Sequence, residues 1–152
     1  MKIEETERIG KIWFEDMWSK PDFEIADRII DPNYKPDWIN IDAIGSALVK
    51  HEIDHFRSIF PDLEQKVIEI KGEENKVWVR YKAHATHLGD AWGFKPTNKE
   101  VDFEAAAILY INDNGKVYNM WEAYCFYDIL TDIGLVPPFW DLHKFILDYK
   151  PK

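Results

Sequence analysis

The chain has one cysteine among 152 residues, so no internal disulfide can brace it and its stability must come from a packed core. Basic residues are also scarce: 19 Lys and Arg stand against 28 Asp and Glu, for a net charge of -9. Nucleic acid is therefore not expected as a partner, because neutralising phosphates needs a basic patch. No apolar run reaches membrane-spanning length. The amino terminus, MKIEETERIG, lacks the apolar stretch of a signal peptide, and a cytoplasmic setting is expected. Repeats, linkers and low-complexity segments are missing as well.

Aromatic residues are plentiful. Seven Trp and nine Phe exceed what the core of one domain of this length requires, which points to an aromatic pocket or an apolar interface. The length fits a single domain over 1–152, with a short helical extension from about residue 137.

Periodicity divides the chain into helices followed by strands. Ile9, Ile12, Trp13 and Met17 recur at helical spacing between about Glu4 and Ser19. Asp22 caps a short helix through Ile30. Residues 34–43 read as either a short hairpin or an irregular crossing. A helix from Ser46 to about Ile59 carries the stripe Val49, Ile53, Phe56 and Phe60, and Pro61 stops it. Strands are expected over 65–71, 76–88, 100–111 and 116–124, with turns at Glu73-Glu74-Asn75 and Asp113-Asn114-Gly115. A further helix ends at Gly134. Helices first and antiparallel strands after them make an α+β fold.

Alternation along the strands predicts two faces. Val77, Val79, Tyr81, Ala83, Ala85 and His87 share the inner face of the second strand. Val101, Phe103, Ala105, Ala107 and Leu109 share that of the third. By the same count Val117, Asn119, Trp121, Ala123 and Cys125 face inward in the fourth, and Tyr118, Met120, Glu122 and Tyr124 face outward. The alanines leave space for a cavity. The outer set, with Trp78, Ile108 and Tyr110, suits a protein interface, so a homodimer through the outer face of the sheet is expected.

The segment HATHLGDAWGFKPTNKEVDF, followed by NDNGKVYNMWEAYCFYDILTDIG, resembles the SnoaL-like polyketide cyclases, a branch of the nuclear-transport-factor-2-like superfamily. That family's pattern is THxGxxxGxxPTGK, then VxF, GKI, a Trp and a Leu-Gly pair. Thr86, His87, Gly89, Gly93, Pro96, Thr97, Lys99, Val101, Phe103, Gly115, Lys116, Trp121 and Gly134 fall in register with it, and FPDL at 60–63 is also common there. The resemblance implies a cone-shaped, curved antiparallel sheet packed against the N-terminal helices. It implies ring closure by an intramolecular aldol reaction without metal or cofactor, with an Asp moving the proton. That Asp, usually four residues after the Trp, is Cys125 here, and the Glu commonly two residues before the Trp is Asn119.

The candidate pocket is therefore Tyr34, Trp38, Tyr81, Trp92, Phe103 and Trp121 as ligand-binding walls, with His87, Asn119 and Cys125 as candidate catalytic positions. Aromatic walls with a few polar groups suit a small, apolar, oxygenated ligand. Cys125 is a poor base and Asn119 is none, which leaves His87 as the titratable candidate. Against this stand plainer roles: His87 as the end of a strand bonding the Gly89–Gly93 loop, Cys125 as a small hydrophobe, and Asp128 as a solvated helix position. A pocket that binds a small molecule without catalysis is the alternative function. The sequence HEIDH at 51–55 matches the HExxH zinc motif. Both His residues fall opposite the apolar stripe and no third ligand accompanies them, so it reads as a solvated helix face and no metal is assigned.

Overall fold

The N-terminal helix has the extent its apolar spacing suggests but changes pitch midway. In the computed structural model, which describes residues 1–20 and 22–144, α1 (Ile3–Lys11) runs directly into a π-helical segment, Ile12–Trp18. The wider turn brings Trp13, Phe14 and Met17 inward together, and the Ser19 hydroxyl donates to the Phe14 carbonyl at 2.9 Å. π-Helical turns are rare and concentrate where side chains must be re-aimed. Helix α1 lies close on the sheet at Gly10, where a Cβ would stand 3.0 Å from Ile70 and 3.2 Å from Val79.

Asp22 caps α2 (Phe23–Ile29), its carboxylate accepting from the Glu24 N–H at 3.0 Å. Residues 34–43 form an irregular crossing. It is held where the Asp31 N–H donates to the Val117 carbonyl (2.9 Å) and the Gly45 N–H to the Tyr34 carbonyl (2.8 Å). Helix α3 (Gly45–Ile59) buries Leu48, Val49, Ile53 and Ile59.

Four strands follow in chain order: β1 (Glu64–Gly72), β2 (Lys76–Thr86), β3 (Glu100–Ile111) and β4 (Val117–Tyr124). They form one antiparallel sheet, ordered β1-β2-β3-β4. The fold is α+β, a curved sheet covered on one face by the N-terminal helices, as expected. Helix α4 (Phe126–Asp132) closes against β3 and is followed by a 3-10 turn, Phe139–Asp141. Phe139 and Trp140 are exposed. Phe145, Ile146 and Tyr149 of the expected extension lie outside the described residues.

One irregularity reorients the site. Tyr110 pairs with Asn119 and Ile111 with Val117, so Tyr118 is an extra residue in β4. Such a bulge reverses the facing of everything beyond it. Met120, Glu122 and Tyr124 therefore oppose Leu109, Ala107 and Ala105 on the inner face. The inward set expected for β4 is corrected accordingly. Val117 is buried, whereas Trp121, Ala123 and Cys125 are exposed on the outer face.

Candidate functional site

Between the helices and the inner face of the sheet lies a cavity of about 190 Å³. Its floor comes from the π-helical segment, with Trp13, Phe14 and Trp18; its helical wall from α3, with His51, Glu52, His55 and Phe56. The sheet contributes Gln65, Tyr81 and Phe103, and beyond the bulge Met120, Glu122 and Tyr124. Tyr34, Trp38 and Ile41 of the crossing segment complete it. Phe14 stacks on Tyr81 at 4.4 Å, and Phe103 meets Tyr81 edge-on at 6.5 Å. Small Ala105 and Ala107 in β3 leave the room that Tyr124 and Glu122 border.

Two carboxyls give the cavity its chemistry. The Tyr81 hydroxyl donates to Glu122 Oε1 at 2.6 Å. Burial pushes Glu122 up to about 7, although the Tyr81 hydrogen bond pulls the other way. Burial, then the nearby Glu122 charge, also pushes Glu52 up to about 7. Burial raises Tyr81 and Tyr34 well above the ordinary phenol, with both carboxylates adding to the effect at Tyr34. Tyr34 is fixed by a contact from its hydroxyl to Met120 Sδ at 3.8 Å, and Trp38 Nε1 donates to the Met120 carbonyl at 3.4 Å. Among the described residues, Trp13 Nε1 and Gln65 Oε1 are buried in this lining without a hydrogen-bond partner.

The sequence candidates divide. Tyr34, Trp38, Tyr81 and Phe103 line the cavity. Trp92 does not: it sits on the β2–β3 loop at φ +48°, exposed and edge-on to Phe126 at 4.9 Å. Asn119, Trp121 and Cys125 lie off the cavity because of the bulge, with the Asn119 side chain accepting from the Met120 N–H at 2.8 Å. Asp128 is exposed.

His87 is buried outside the cavity, where its Nδ1 accepts from the Thr97 N–H at 3.2 Å and lies 3.0 Å from the Thr97 hydroxyl. The His87 N–H donates to the Lys99 carbonyl (2.9 Å) and the Asn98 N–H to the His87 carbonyl (3.1 Å). Asn98, at φ +56°, takes the left-handed turn that the family pattern gives to Gly, which Asn tolerates better than most residues. Gly89 sits so close to the end of α3 that a Cβ would lie 1.7 Å from the Ser58 carbonyl oxygen. The segment that carries most of the resemblance thus fastens a loop to α3 and β3.

HEIDH is a solvated face at His51, Asp54 and His55, as expected, but Glu52 turns into the cavity wall. His51 and His55 are exposed, as their position opposite the stripe predicts, yet they border its mouth, and Glu52 between them is half-buried in its wall. Among the described residues, no three His, Cys, Asp or Glu side chains gather as a metal site would require. The signals that mark the two carboxyls are modest. Glu52 is four residues from buried Leu48 and four from Phe56, so helical geometry carries it inward. Glu122 needs the bulge to be known.

The family model for SnoaL-like polyketide cyclases matches residues 11–133. No curated protein matches the chain in sequence. Among solved structures, TsrD from Streptomyces laurentii superposes with a TM-score of 0.80 at 15% identity, covering 90% of this chain and 99% of its own. AclR from Streptomyces galilaeus gives 0.75 at 23% identity, over 96% and 92%. A SnoaL-like polyketide cyclase from Agrobacterium tumefaciens gives 0.67 at 15%, over 83% and 98%. At these identities the likeness is one of fold.

Proposed function

The chain belongs to the SnoaL-like polyketide cyclase family, and from that premise we propose that its cavity is a cofactor-free acid/base site for a small, flat, oxygenated ligand, with Glu122 as the base. One observation carries this: a carboxyl on an aromatic-walled cavity, held at 2.6 Å by a buried phenol and pushed up to about 7. A base that titrates near the working pH can both accept and return a proton. His87, Asn119 and Cys125 stand off the cavity, and Glu122 takes the role the sequence offered to them.

The chemistry is a ring closure. Glu122 removes a proton from a carbon beside a ligand carbonyl, and the electron pair moves onto that carbonyl oxygen as an enolate. The enolate carbon attacks a second carbonyl of the same molecule, forming the C–C bond. The resulting alkoxide takes the proton back from Glu122, so nothing is consumed. The unpartnered Trp13 N–H and Gln65 carboxamide favour a ligand carrying both an acceptor and a donor. In a screen of aromatic diketones, Glu122→Gln is expected to abolish closure and retain binding. Closure that appears only after Cys125→Asp would refute the proposal.

The alternative, binding without catalysis, is favoured by one observation: the position where the family carries its Asp holds an exposed Cys125. Binding without turnover across the screen would establish it.

A second copy of the chain is the proposed cover for the outer face of the sheet, where Trp78, Tyr118 and Trp121 are exposed. Light scattering should give twice the chain mass of 18.0 kDa. Trp121→Glu should halve the observed mass. We treat residues 1–152 as one functional unit. Among the described residues, no helix is long and apolar enough to cross a membrane.

A further inference from the structure

Glu52 is a second carboxyl on the same cavity, and the ring closure described above leaves it unused. It enters from α3, whereas Glu122 enters from β4. Glu122 is held by Tyr81; among the described residues no hydrogen bond holds Glu52. The titratable groups around it are His51 and His55 on its own helix, Glu122 and Tyr124 from β4, Tyr81 from β2, and Tyr34 from the crossing segment. The described lining includes no Lys or Arg. An unpaired carboxylate is costly in such surroundings, whereas the neutral acid is tolerated and is a hydrogen-bond donor.

Resting on Glu122 as the base, we propose that Glu52 is a second catalytic residue: a carboxylic acid that donates a hydrogen bond to the ligand's carbonyl oxygen, so that the site takes uncharged aryl ketones and turns away aryl carboxylates. The two carboxyls differ in their surroundings, and that difference divides the labour. As Glu122 removes the C–H proton, negative charge develops on the carbonyl oxygen, and the Glu52 O–H stabilises it there. If the proton crosses to that oxygen, an enol forms, and the proton returns to Glu52 when the C–C bond is made. An anionic ligand would instead add a charge beside two carboxyls, with no fixed cation to receive it. The placement of Glu52 agrees with its raised titration, to about 7, by burial and by Glu122.

The test uses the full chain and two probes of similar shape, 2-acetylnaphthalene and 2-naphthoate, with binding measured by calorimetry. The ketone is expected to bind at pH 6 and to lose about tenfold in affinity by pH 8.5, as Glu52 ionises. That loss should persist in Glu122→Gln and in a His51→Gln/His55→Gln double variant. It should vanish in Glu52→Gln, whose amide donates at every pH. At pH 8.5, with Glu52 ionised, the naphthoate should bind about tenfold more weakly than the ketone to the wild type and gain affinity in Glu52→Gln, where that charge is gone. A flat ketone profile in the wild type, or a profile unchanged by Glu52→Gln, overturns the role of Glu52 and leaves the cavity and Glu122 standing. A naphthoate that binds more tightly than the ketone to the wild type does the same. No ketone binding in any variant overturns the cavity as the ligand site, and the role of Glu52 with it.

Discussion

Replacing Glu122 by Gln should stabilise the protein at pH 8 and do little at pH 5. The native carboxyl titrates near 7 against an ordinary 4.5, because burial disfavours its charge. Between those values the folded state holds a proton that the unfolded state has lost, so stability falls as pH rises through that window and levels off above it. A displacement of this size corresponds to at most about 3 kcal/mol at 1.36 kcal/mol per unit. Glu122 is only half-buried, so about 1–2 kcal/mol is the better figure. For a chain of this length that is a shift in Tm of roughly 3–6 °C. The Gln side chain still accepts the Tyr81 hydrogen bond and carries no charge to desolvate. Thermal melts of both proteins at pH 5 and pH 8 supply the comparison, and taking the difference between pH values cancels effects the two share. A variant whose Tm differs from wild type by the same amount at both pH values would refute the placement of an ionising Glu122 in a desolvated site.

Two further substitutions separate the cavity from its surroundings. Tyr81→Phe removes the bond that lowers Glu122, so the Glu122 titration should move above about 7 and the acid limb of any rate profile with it; a downward move would contradict the assignment. His87→Ala should destabilise the protein by about 2–3 kcal/mol through a void and the lost Thr97 contacts, seen by denaturant titration. It should leave the Glu122 titration in place, and a shifted titration would show that His87 communicates with the cavity.

Much of the fold was legible because each element follows local rules. The caps and stops at Asp22 and Pro61 set helix ends, and clean alternation in β2 and β3 set their faces. The aromatic walls Tyr81 and Phe103 followed from that alternation, whereas Tyr34 lies in the crossing segment, which no local pattern oriented. The base did not, because one extra residue at Tyr118 reverses β4 and exchanges Asn119, Trp121 and Cys125 for Met120, Glu122 and Tyr124. Nothing in VYNMWEAY marks a bulge, since its residues suit either face. Glu52 was hidden for a different reason. The HEIDH pattern drew attention to its two histidines, and their exposed face carried the carboxyl between them into a class it does not share. The loop motif around His87 signalled the family accurately while lying outside the cavity, because its residues build a turn: Gly89 has no room for a Cβ against Ser58, and Asn98 takes a positive φ.

The most direct measurement is a titration of the glutamate side chains by carbon-13 NMR of the carboxyls, with Glu122→Gln and Glu52→Gln to assign the signals. Two carboxyls with midpoints near 7 are expected, one lost in each variant. Midpoints near 4.5 for both would mean that neither is held in a desolvated cavity, and would contradict an acid/base site built on Glu122.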